Sequence, residues 1–333
     1  MYDNFSEFLR SAERICVIQA ENPDGDSLAS ALALYEILAD KEVALYCPVD
    51  IPKYLCYFDK WDLVTKDFDY KADAYIIVDT AAEVLLSKLM EDTLIKNLLF
   101  SKPVFVFDHH ETVDDLSFTH QSIIEVLPAC TQLIFTVCRE LGMPISALAA
   151  KDLLAGIMSD TLGLTSASVD VKTLETVTEL AKLGGSIFEI EEARREFMKK
   201  SQRILEYKAD LIHRIEYFLD GKLALVHIPW DDIREYSDEY NPNVLILEEM
   251  RMVEGVEVAI AIKTYPDGKL TGKIRTSLPV AERVAQYFGG GGHKYAAGFR
   301  TYDVTYDEIV KELIGVVIDA TNEAKKEAKN ETL

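Results

Sequence analysis

The sequence has few cysteines and few basic residues, and each scarcity excludes a class of protein. Its five cysteines are an odd number and form no Cys-x-x-Cys pair, so we expect neither a disulfide framework nor a zinc ribbon. Such cysteine usage favours the reducing cytoplasm. The 57 acidic residues outnumber the 35 lysines and arginines, giving a net charge of −22, which argues against a protein that binds long nucleic acid through a general positive surface.

Long apolar runs are also absent. No apolar stretch reaches the roughly 18 residues of a membrane-spanning helix. The first residues are acidic and lack the apolar segment of a secretory signal. We therefore expect no membrane partner and a cytoplasmic location. With 333 residues, 49% of them hydrophobic, the chain can form about two domains with buried cores.

Strand and helix patterns alternate through the first half of the chain. The β-branched and aromatic runs at 74–78 and 104–107 are typical of parallel strands buried on both faces, and helical spacing appears at 27–39 and 145–158. This order predicts an α/β fold with a doubly wound, mainly parallel N-terminal sheet and a smaller C-terminal α/β domain with a mixed sheet. A charged helical stretch separates them. The expected domains are a catalytic domain over 1–185, a helical connector over 186–218 and a substrate-binding domain over 219–333.

Acidic residues and histidines collect at four places where strands or a buried helix end. Three of these places lie at the carboxyl edge of the predicted sheet, where open α/β sheets bind ligands. Each place alone also fits a turn or a helix cap, and Asp26 or Ser27 could cap the helix that follows. The residues concerned are Asp24, Asp26, Asp79, Asp108, His109, His110 and Asp160.

Carboxylates held this close together repel one another unless cations neutralise them. Carboxylate and imidazole groups suit Mn²⁺ or Mg²⁺, and two such ions can activate water against a phosphate ester. The four places together therefore predict a metal site.

A second cluster lies in the C-terminal part, where four consecutive glycines precede His293. Four consecutive glycines are costly to order and could form a flexible linker. Aromatic and small residues typical of packed structure flank them on both sides, however, so we interpret the glycines as a backbone segment that approaches a phosphate. Seven basic and two acidic residues over 261–300 give a local charge of +5. An arginine there suits a bidentate phosphate contact. The expected substrate-binding residues are Arg275, Ser277, Gly290, Gly291, Gly292 and His293.

In this order, the motifs resemble the DHH phosphoesterase family with its C-terminal DHH-associated domain. The nearest subgroup in pattern is the NrnA-like oligoribonucleases that also act as phosphatases on adenosine 3′,5′-bisphosphate (pAp). The resemblance covers nearly the whole chain. The segments that carry it are Asn22–Asp26, Val78–Thr80, Asp108–His110, Gly156–Thr161 and Gly289–Gly298.

The resemblance implies a centre of two divalent cations, with Mn²⁺ expected and Mg²⁺ or Co²⁺ as alternatives. Asp24 and Asp79 would hold one ion. Asp79 would bridge to a second ion held also by Asp26, His109 and Asp160. His110 would contact phosphate or support a ligand, and Asp108 would orient a histidine. The C-terminal domain would bind the nucleotide.

One position departs from the family pattern. The family usually has a metal-ligating histidine three residues before the motif proline, and here that position is Ala20. Three outcomes follow: water fills the position, Gln19 or Glu21 reaches in, or the first metal binds weakly.

The resulting functional hypothesis is metal-dependent hydrolysis of short oligoribonucleotides, of linear dinucleotides such as pApA and pGpG, or of pAp. Asp79, His110 and Asp108 are the expected catalytic residues. One alternative is a long single-strand exonuclease or polyphosphatase, although long strands need an extended basic groove. Another is a catalytically weak nucleotide-binding module, favoured by Ala20. We expect no long duplex partner, and the sequence is compatible with a homodimer.

Overall fold

The chain forms two units in the computed structural model, which describes residues 2–111 and 114–330. The first unit ends at Lys199 and the second begins at Lys200. Each unit has its own sheet and its own apolar cores.

The first unit alternates strands and helices along the chain. Its strands are β1 (Arg14–Ile18), β2 (Glu42–Tyr46), β3 (Val64–Thr65), β4 (Ala74–Val78), β5 (Val104–Asp108) and β6 (Gln121–Ile124). Its helices are α1 (Asp3–Arg10), α2 (Gly25–Ile37), α3 (Ser87–Glu91), α4 (Thr93–Ser101), α5 (Cys130–Glu140), α6 (Ala147–Asp160), α7 (Val171–Lys182) and α8 (Ile187–Phe197).

The six strands of this unit pair in the order β3-β2-β1-β4-β5-β6, and every pair is parallel. Alternate residues of β4 point into cores on opposite faces of the sheet, and all five are fully buried, which explains the continuous apolar run. Helices α2, α5 and α6 cover one face. The strand order reverses between β1 and β4, which opens a crevice at their carboxyl ends. The predicted doubly wound parallel sheet is confirmed.

The second unit is a mixed sheet with helices on both faces. Its strands are β7 (Glu216–Phe218), β8 (Leu223–Ile228), β9 (Val258–Thr264), β10 (Lys269–Thr276), β11 (Gly291–His293) and β12 (Ala296–Tyr302). Its helices are α9 (Gln202–His213), α10 (Trp230–Tyr236), α11 (Pro242–Arg251), α12 (Ala281–Tyr287) and α13 (Tyr306–Asn330).

These strands pair in the order β11-β12-β10-β9-β8-β7, with β8 and β9 parallel and the other pairs antiparallel. The predicted mixed sheet is confirmed. Helices α12 and α13 pack on one face, and α9, α10 and α11 pack on the other. The segment 186–218 contains α8 in the first unit and α9 in the second, followed by the short strand β7.

Within 2–111 and 114–330, no helix combines the length and the apolar character that crossing a bilayer requires. All five cysteines are free, and four of them are buried. The cytoplasmic location stays a prediction.

Candidate metal centre

The N-terminus of α2 is held by Asp24. Its Oδ1 accepts hydrogen bonds from the backbone amides of Asp26 (3.1 Å) and Ser27 (2.9 Å), and its own amide donates to Ser27 Oγ (3.0 Å). This is a reciprocal capping box. The expectation that Asp26 or Ser27 is the cap is therefore wrong, although Ser27 completes the box. The cap frees the Asp26 carboxylate for contacts elsewhere.

Asp26 is fully buried and connects three helices. Its Oδ1 accepts from the amide (3.1 Å) and hydroxyl (2.6 Å) of Thr131, and its Oδ2 accepts from the amide of Cys130. Ala129, the cap residue of α5, has no side-chain acceptor, so Asp26 supplies the missing acceptor from α2. A Cβ on Gly156 of α6 would lie 2.7 Å from Asp26 Oδ1. Close approach of α6 therefore requires glycine here.

Asp79 follows β4 in a strained backbone conformation. Its φ of +64° lies in the left-handed region, which is unfavourable for a residue with a side chain. Its amide continues the sheet by donating to the carbonyl of Phe107 (2.8 Å). Its Oδ1 is buried and makes no well-aligned hydrogen bond among the described residues, although His109 Nε2 lies 3.2 Å away. Strain of this kind is typical of functional sites.

His109 directs one ring nitrogen at the carboxylates. Its Nδ1 lies 2.8 Å from the carbonyl oxygen of Leu127, an acceptor that fixes the ring. Its Nε2 lies 3.2 Å from Asp79 Oδ1, 3.4 Å from Asp160 Oδ2 and 3.8 Å from Asp26 Oδ2. A histidine held through one nitrogen by a backbone carbonyl, with the other turned to carboxylates, has the arrangement of a metal ligand.

Asp108, the last residue of β5, is fully buried and holds the turn that carries the histidines. Its Oδ1 accepts from the amides of His109 (2.8 Å) and His110 (3.3 Å) and lies 2.7 Å from His110 Nδ1. Its Oδ2 accepts from the amide of Ala81 (2.9 Å), next to the strained Asp79. These contacts give Asp108 a positioning role and leave His110 at the open side of the site, about half exposed.

The charges of this cluster are unbalanced in the protein alone. Burial raises the pKa of Asp26 and raises that of Asp79 well above its usual range. Burial, with the charges of Asp26 and Asp24, raises the pKa of Asp160 to about 7. Burial lowers the pKa of His109, but its contacts with Asp79 and Asp26 outweigh this and raise it to about 10. In the absence of a cation, these shifts favour protonated side chains at the positions where a cation would otherwise neutralise the carboxylates.

Two groups of side chains fit a divalent cation. Asp26, His109 and Asp160 form one, and Asp79, His109 and His110 form the other, with the donor atoms of each group within 4.8 Å of one another. Carboxylate and imidazole donors, including the buried unpartnered Asp79 Oδ1 and His109 Nε2, suit such ions. Asp24, also expected as a ligand, belongs to neither group, and its carboxylate caps α2.

The two neighbours of Ala20 differ in what their side chains do. The Glu21 carboxylate accepts from the Ser87 hydroxyl and the Lys88 amide, so it is committed to α3. Gln19 is fully buried, and both its Oε1 and its Nε2 lack partners among the described residues. Of these two side chains, Gln19 is therefore the one with uncommitted donor atoms.

A separate groove of about 420 Å³ lies in the second unit. Of the expected substrate-binding residues, it brings together Arg275, Gly291, Gly292 and His293. Ser277 lies outside it, with its amide and hydroxyl donating to the Glu257 carbonyl (3.0 and 3.4 Å). Gly290 also lies outside it.

The glycines of this segment differ in whether the surrounding structure leaves room for a side chain. The amide of Gly290 donates to the carbonyl of Ala285 (2.8 Å), and a Cβ there would meet the Gly298 carbonyl at 2.2 Å. A Cβ on Gly292 would meet Ala297 Cα at 2.6 Å. The close approach of strand β12 therefore requires glycine at both positions. Gly291 has open space around its Cα, so packing within the second unit does not require glycine there.

The expected basic patch is divided by the fold. Lys273 and Arg275 line the groove. Lys263 is buried and donates to Asn241 Oδ1 (3.0 Å), and burial together with the charge of Lys273 lowers its pKa. Arg283 forms an ion pair with Glu327 of α13 (2.6 Å). The net charge of +5 along the sequence therefore does not form one continuous surface.

Sequence reasoning missed the asparagines of this groove. Asn241 caps α11 by accepting from the Asn243 amide (3.1 Å), with Pro242 at the first helical position. Both asparagines line the groove, and Asn243 Oδ1 is buried with no partner among the described residues. The Asn-Pro-Asn sequence predicts the start of a helix. It does not predict that this helix start lines the same groove as the glycines.

Several known proteins are similar to this chain in sequence or in fold. Residues 14–157 match the DHH family, N-terminal domain. The chain is 26% identical over 297 residues to the bifunctional oligoribonuclease and PAP phosphatase NrnA of Thermus thermophilus, covering 88% of this chain and 86% of that protein. It is 25% identical to the A-adding tRNA nucleotidyltransferase of Aquifex aeolicus, over 87% of this chain and 33% of that enzyme. An exopolyphosphatase-related protein from Bacteroides fragilis shares the fold, with a TM-score of 0.81, 21% identity and coverage of 98% and 97%.

Proposed function

From the premise that residues 14–157 form a DHH family N-terminal domain, we propose that this protein is a metal-dependent phosphoesterase. The resemblance to NrnA-like proteins is confirmed across most of the chain. The observation that carries the proposal is the convergence of Asp26, Asp79 and Asp160 on His109 Nε2. We assign short oligoribonucleotides, the dinucleotides pApA and pGpG, and pAp as substrates. A bifunctional oligoribonuclease and PAP phosphatase is the relative that supports this choice.

In the first unit, Asp26, Asp79, His109 and Asp160 would hold the cations, with Asp24 as a further ligand. When bound, two divalent cations acidify a water and neutralise charge on the phosphate. The residues themselves orient the site: Leu127 fixes the His109 ring, and Asp108 fixes His110. His110 is left at the open side, where it can contact a phosphate. Mn²⁺ is the metal we expect, with Mg²⁺ and Co²⁺ as alternatives.

In the second unit, we assign nucleotide binding to the groove lined by Lys273, Arg275 and His293. Arg275 is suited to a phosphate because its guanidinium can donate two parallel hydrogen bonds. A groove of about 420 Å³ has the size of a small-molecule site. This size favours a short substrate over a long single strand, which needs an extended basic surface.

The first test is turnover by the purified protein. With Mn²⁺, we expect mononucleotides from pApA and pGpG and AMP from pAp, measured by chromatography, and slower cleavage of a 24-nucleotide strand. Asp79→Asn should lose at least about 100-fold of this activity, because metal-site side chains carry effects of this order or larger. Asp62→Asn, at an exposed carboxylate, is the matched control.

The same assay separates the alternatives. Preference for the long strand would favour an exonuclease. No turnover of any of these substrates with Mn²⁺, Mg²⁺ or Co²⁺ would overturn the proposal and favour a nucleotide-binding module. A large gain in rate on Ala20→His would show that the missing histidine limits the enzyme.

A further inference from the structure

A second groove, of about 520 Å³, lies in the first unit beside the metal centre. We call it the Tyr54 groove, and its lining includes Tyr54, Leu55, Met158, Ser159, Leu162 and Arg194. Its volume falls within the range of about 300–1,000 Å³ that is typical of small-molecule sites.

The position of this groove is fixed by Gly25, which lies between Asp24 and Asp26. A Cβ on Gly25 would come within 2.1 Å of Ser159 Oγ and 3.9 Å of Leu55 Cδ2. Two residues of the groove thus pack directly against the acidic motif of α2. Ser159 also immediately precedes Asp160. One wall of the groove therefore contacts the segment that carries Asp24 and Asp26, and it is adjacent in sequence to Asp160.

Tyr54 is the more exposed of the two tyrosines, Tyr54 and Tyr57, that line the groove. It is 55% exposed, whereas the neighbouring Leu55 is buried and anchors the short 3₁₀ helix Lys53–Leu55. Burial, together with the charge of Asp24, raises the pKa of the Tyr54 hydroxyl, which agrees with its place near the acidic motif. An exposed aromatic ring can stack on a base without selecting its sequence.

The rim of the groove holds an exposed apolar side chain in a strained conformation. Leu162 has a φ of +53° and is 75% exposed, two residues after Asp160. Leu164 is also in the left-handed region, with a φ of +68°. Neither exposure to water nor a left-handed backbone favours leucine. Leu164 packs against the apolar core of the first unit, whereas the Leu162 side chain stays exposed at the rim of the groove, where it can contact a ligand.

Helix α8 provides a polar edge to this apolar groove. The Nε and Nη2 atoms of Arg194 donate to the Glu191 carboxylate (3.1 and 2.7 Å). Both residues line the groove with Ile187 and Ile190. The groove thus combines tyrosine rings, aliphatic walls and one charged pair at its edge, a lining that is typical of small-molecule sites.

We propose that the Tyr54 groove is a nucleoside subsite, in which Tyr54 stacks on one base of a dinucleotide whose phosphate lies at the metal centre. This proposal rests on the proposed phosphoesterase function and adds a residue that determines substrate class. A dinucleotide with both bases should therefore be a better substrate than an analogue that lacks the base stacked on Tyr54.

The experiment compares Tyr54→Ala and Tyr54→Phe with the wild type on three substrates. These are pApA and two analogues of pApA in which the first or the second adenine is replaced by hydrogen. Loss of stacking should raise the KM of Tyr54→Ala for pApA by about 5- to 100-fold, with kcat changed less. Tyr54→Phe should behave as the wild type, because it keeps the ring. Tyr70→Ala, which removes an exposed tyrosine outside the groove, is the matched control.

The analogues distinguish stacking from a structural effect. If Tyr54 stacks on a base, its replacement by alanine should have little effect on the one analogue that lacks that base. An equal loss on all three substrates, or no loss on pApA, would overturn the proposal while leaving the phosphoesterase function in place.

Binding provides a readout that does not depend on turnover. Calorimetry of pApA and the two analogues with the metal-free protein should show the same pattern in Kd. If the wild type hydrolyses nothing, the phosphoesterase proposal fails, and these Kd values alone decide whether the groove binds a base. Equal Kd values for wild type and Tyr54→Ala would then reject the subsite as well.

Discussion

At the scale of single residues, the metal centre is built from side chains that each serve the fold as well as the site. Asp24 caps α2, and Asp26 accepts the first amides of α5. Asp79 turns at a left-handed φ to reach the same place. Because these contacts hold three carboxylates around a single imidazole, the site is preformed and electrostatically costly, and divalent cations would lower that cost.

Substitution of Gln19 tests most directly whether a neighbouring side chain replaces the metal-ligating histidine that is absent at Ala20. Gln19→Leu removes two buried polar atoms that lack partners, so the metal-free protein should gain about 1–2 kcal/mol in its free energy of unfolding. If the amide substitutes for the missing histidine, the Kd for Mn²⁺ should also rise by about fivefold or more. Urea unfolding and calorimetric titration with Mn²⁺ measure the two effects.

The two readouts can disagree, which makes the test specific. Greater stability with unchanged Mn²⁺ affinity would exclude Gln19 as the substitute for the absent histidine. A loss of stability in the metal-free protein would contradict the view that the amide atoms are unpartnered. Ala20→His is the companion variant, since it supplies the ligand directly.

At the scale of elements, the site depends on how closely α2, α5 and α6 approach one another. Gly156 allows this approach, since a Cβ there would lie 2.4 Å from Thr131 Cγ2 and 2.7 Å from Asp26 Oδ1. The atoms in the way belong to short buried side chains that are hydrogen-bonded to each other, so they cannot move aside freely. Helix packing and ligand geometry are therefore coupled at one position.

Gly156→Ala should destabilise the protein by about 1–3 kcal/mol, although alanine favours a helix, because overpacking outweighs propensity. It should also weaken metal binding by displacing Asp26. Gly315→Ala in α13 is the matched control. No atom lies within 4 Å of its added Cβ, so we expect a gain of about 0.5–1 kcal/mol. Thermal unfolding of both variants measures the difference, and a neutral Gly156→Ala would contradict this account of the helix contact.

At the scale of the whole molecule, the buried cluster of carboxylates around His109 makes the stability of the protein depend on pH. The pKa of His109 rises from 6.5 to about 10, so its contribution to stability is present below pH 6.5 and is lost as the pH rises toward 10. The pKa of Asp160 rises from 3.8 to about 7, so the folded state favours its protonated form, and stability falls as the pH rises from 3.8 toward 7. Both groups act in the same direction.

The metal-free protein should therefore lose stability between pH 6 and pH 8, and added Mn²⁺ should raise the Tm more at pH 8 than at pH 6, because it competes with protons. Thermal scans at the two pH values with and without Mn²⁺ measure this. In His109→Asn the pH dependence should become weaker. A larger metal effect at pH 6 would contradict the assignment of these side chains as ligands.

The sequence by itself determined the sheet and the positions at its edge. Continuous apolar runs such as 74–78 specify strands buried on both faces, and parallel strands bring the residues that follow them to one edge. Asp79 and Asp108 were placed by this pattern alone, because strand ends are local in sequence. The resemblance to the DHH family rested on the motifs at these two strand ends together with Asn22–Asp26, Gly156–Thr161 and Gly289–Gly298.

Only the tertiary structure decided which of these side chains meet, and which charges are already paired. Asp26 meets Thr131 across 105 positions, and Arg283 is neutralised by Glu327 across 44. Ser277 turns its amide and hydroxyl to a strand end, and the Tyr54 groove forms between segments that are distant in the chain. Such contacts depend on how packed elements approach one another in space, and local sequence patterns carry little information about that geometry.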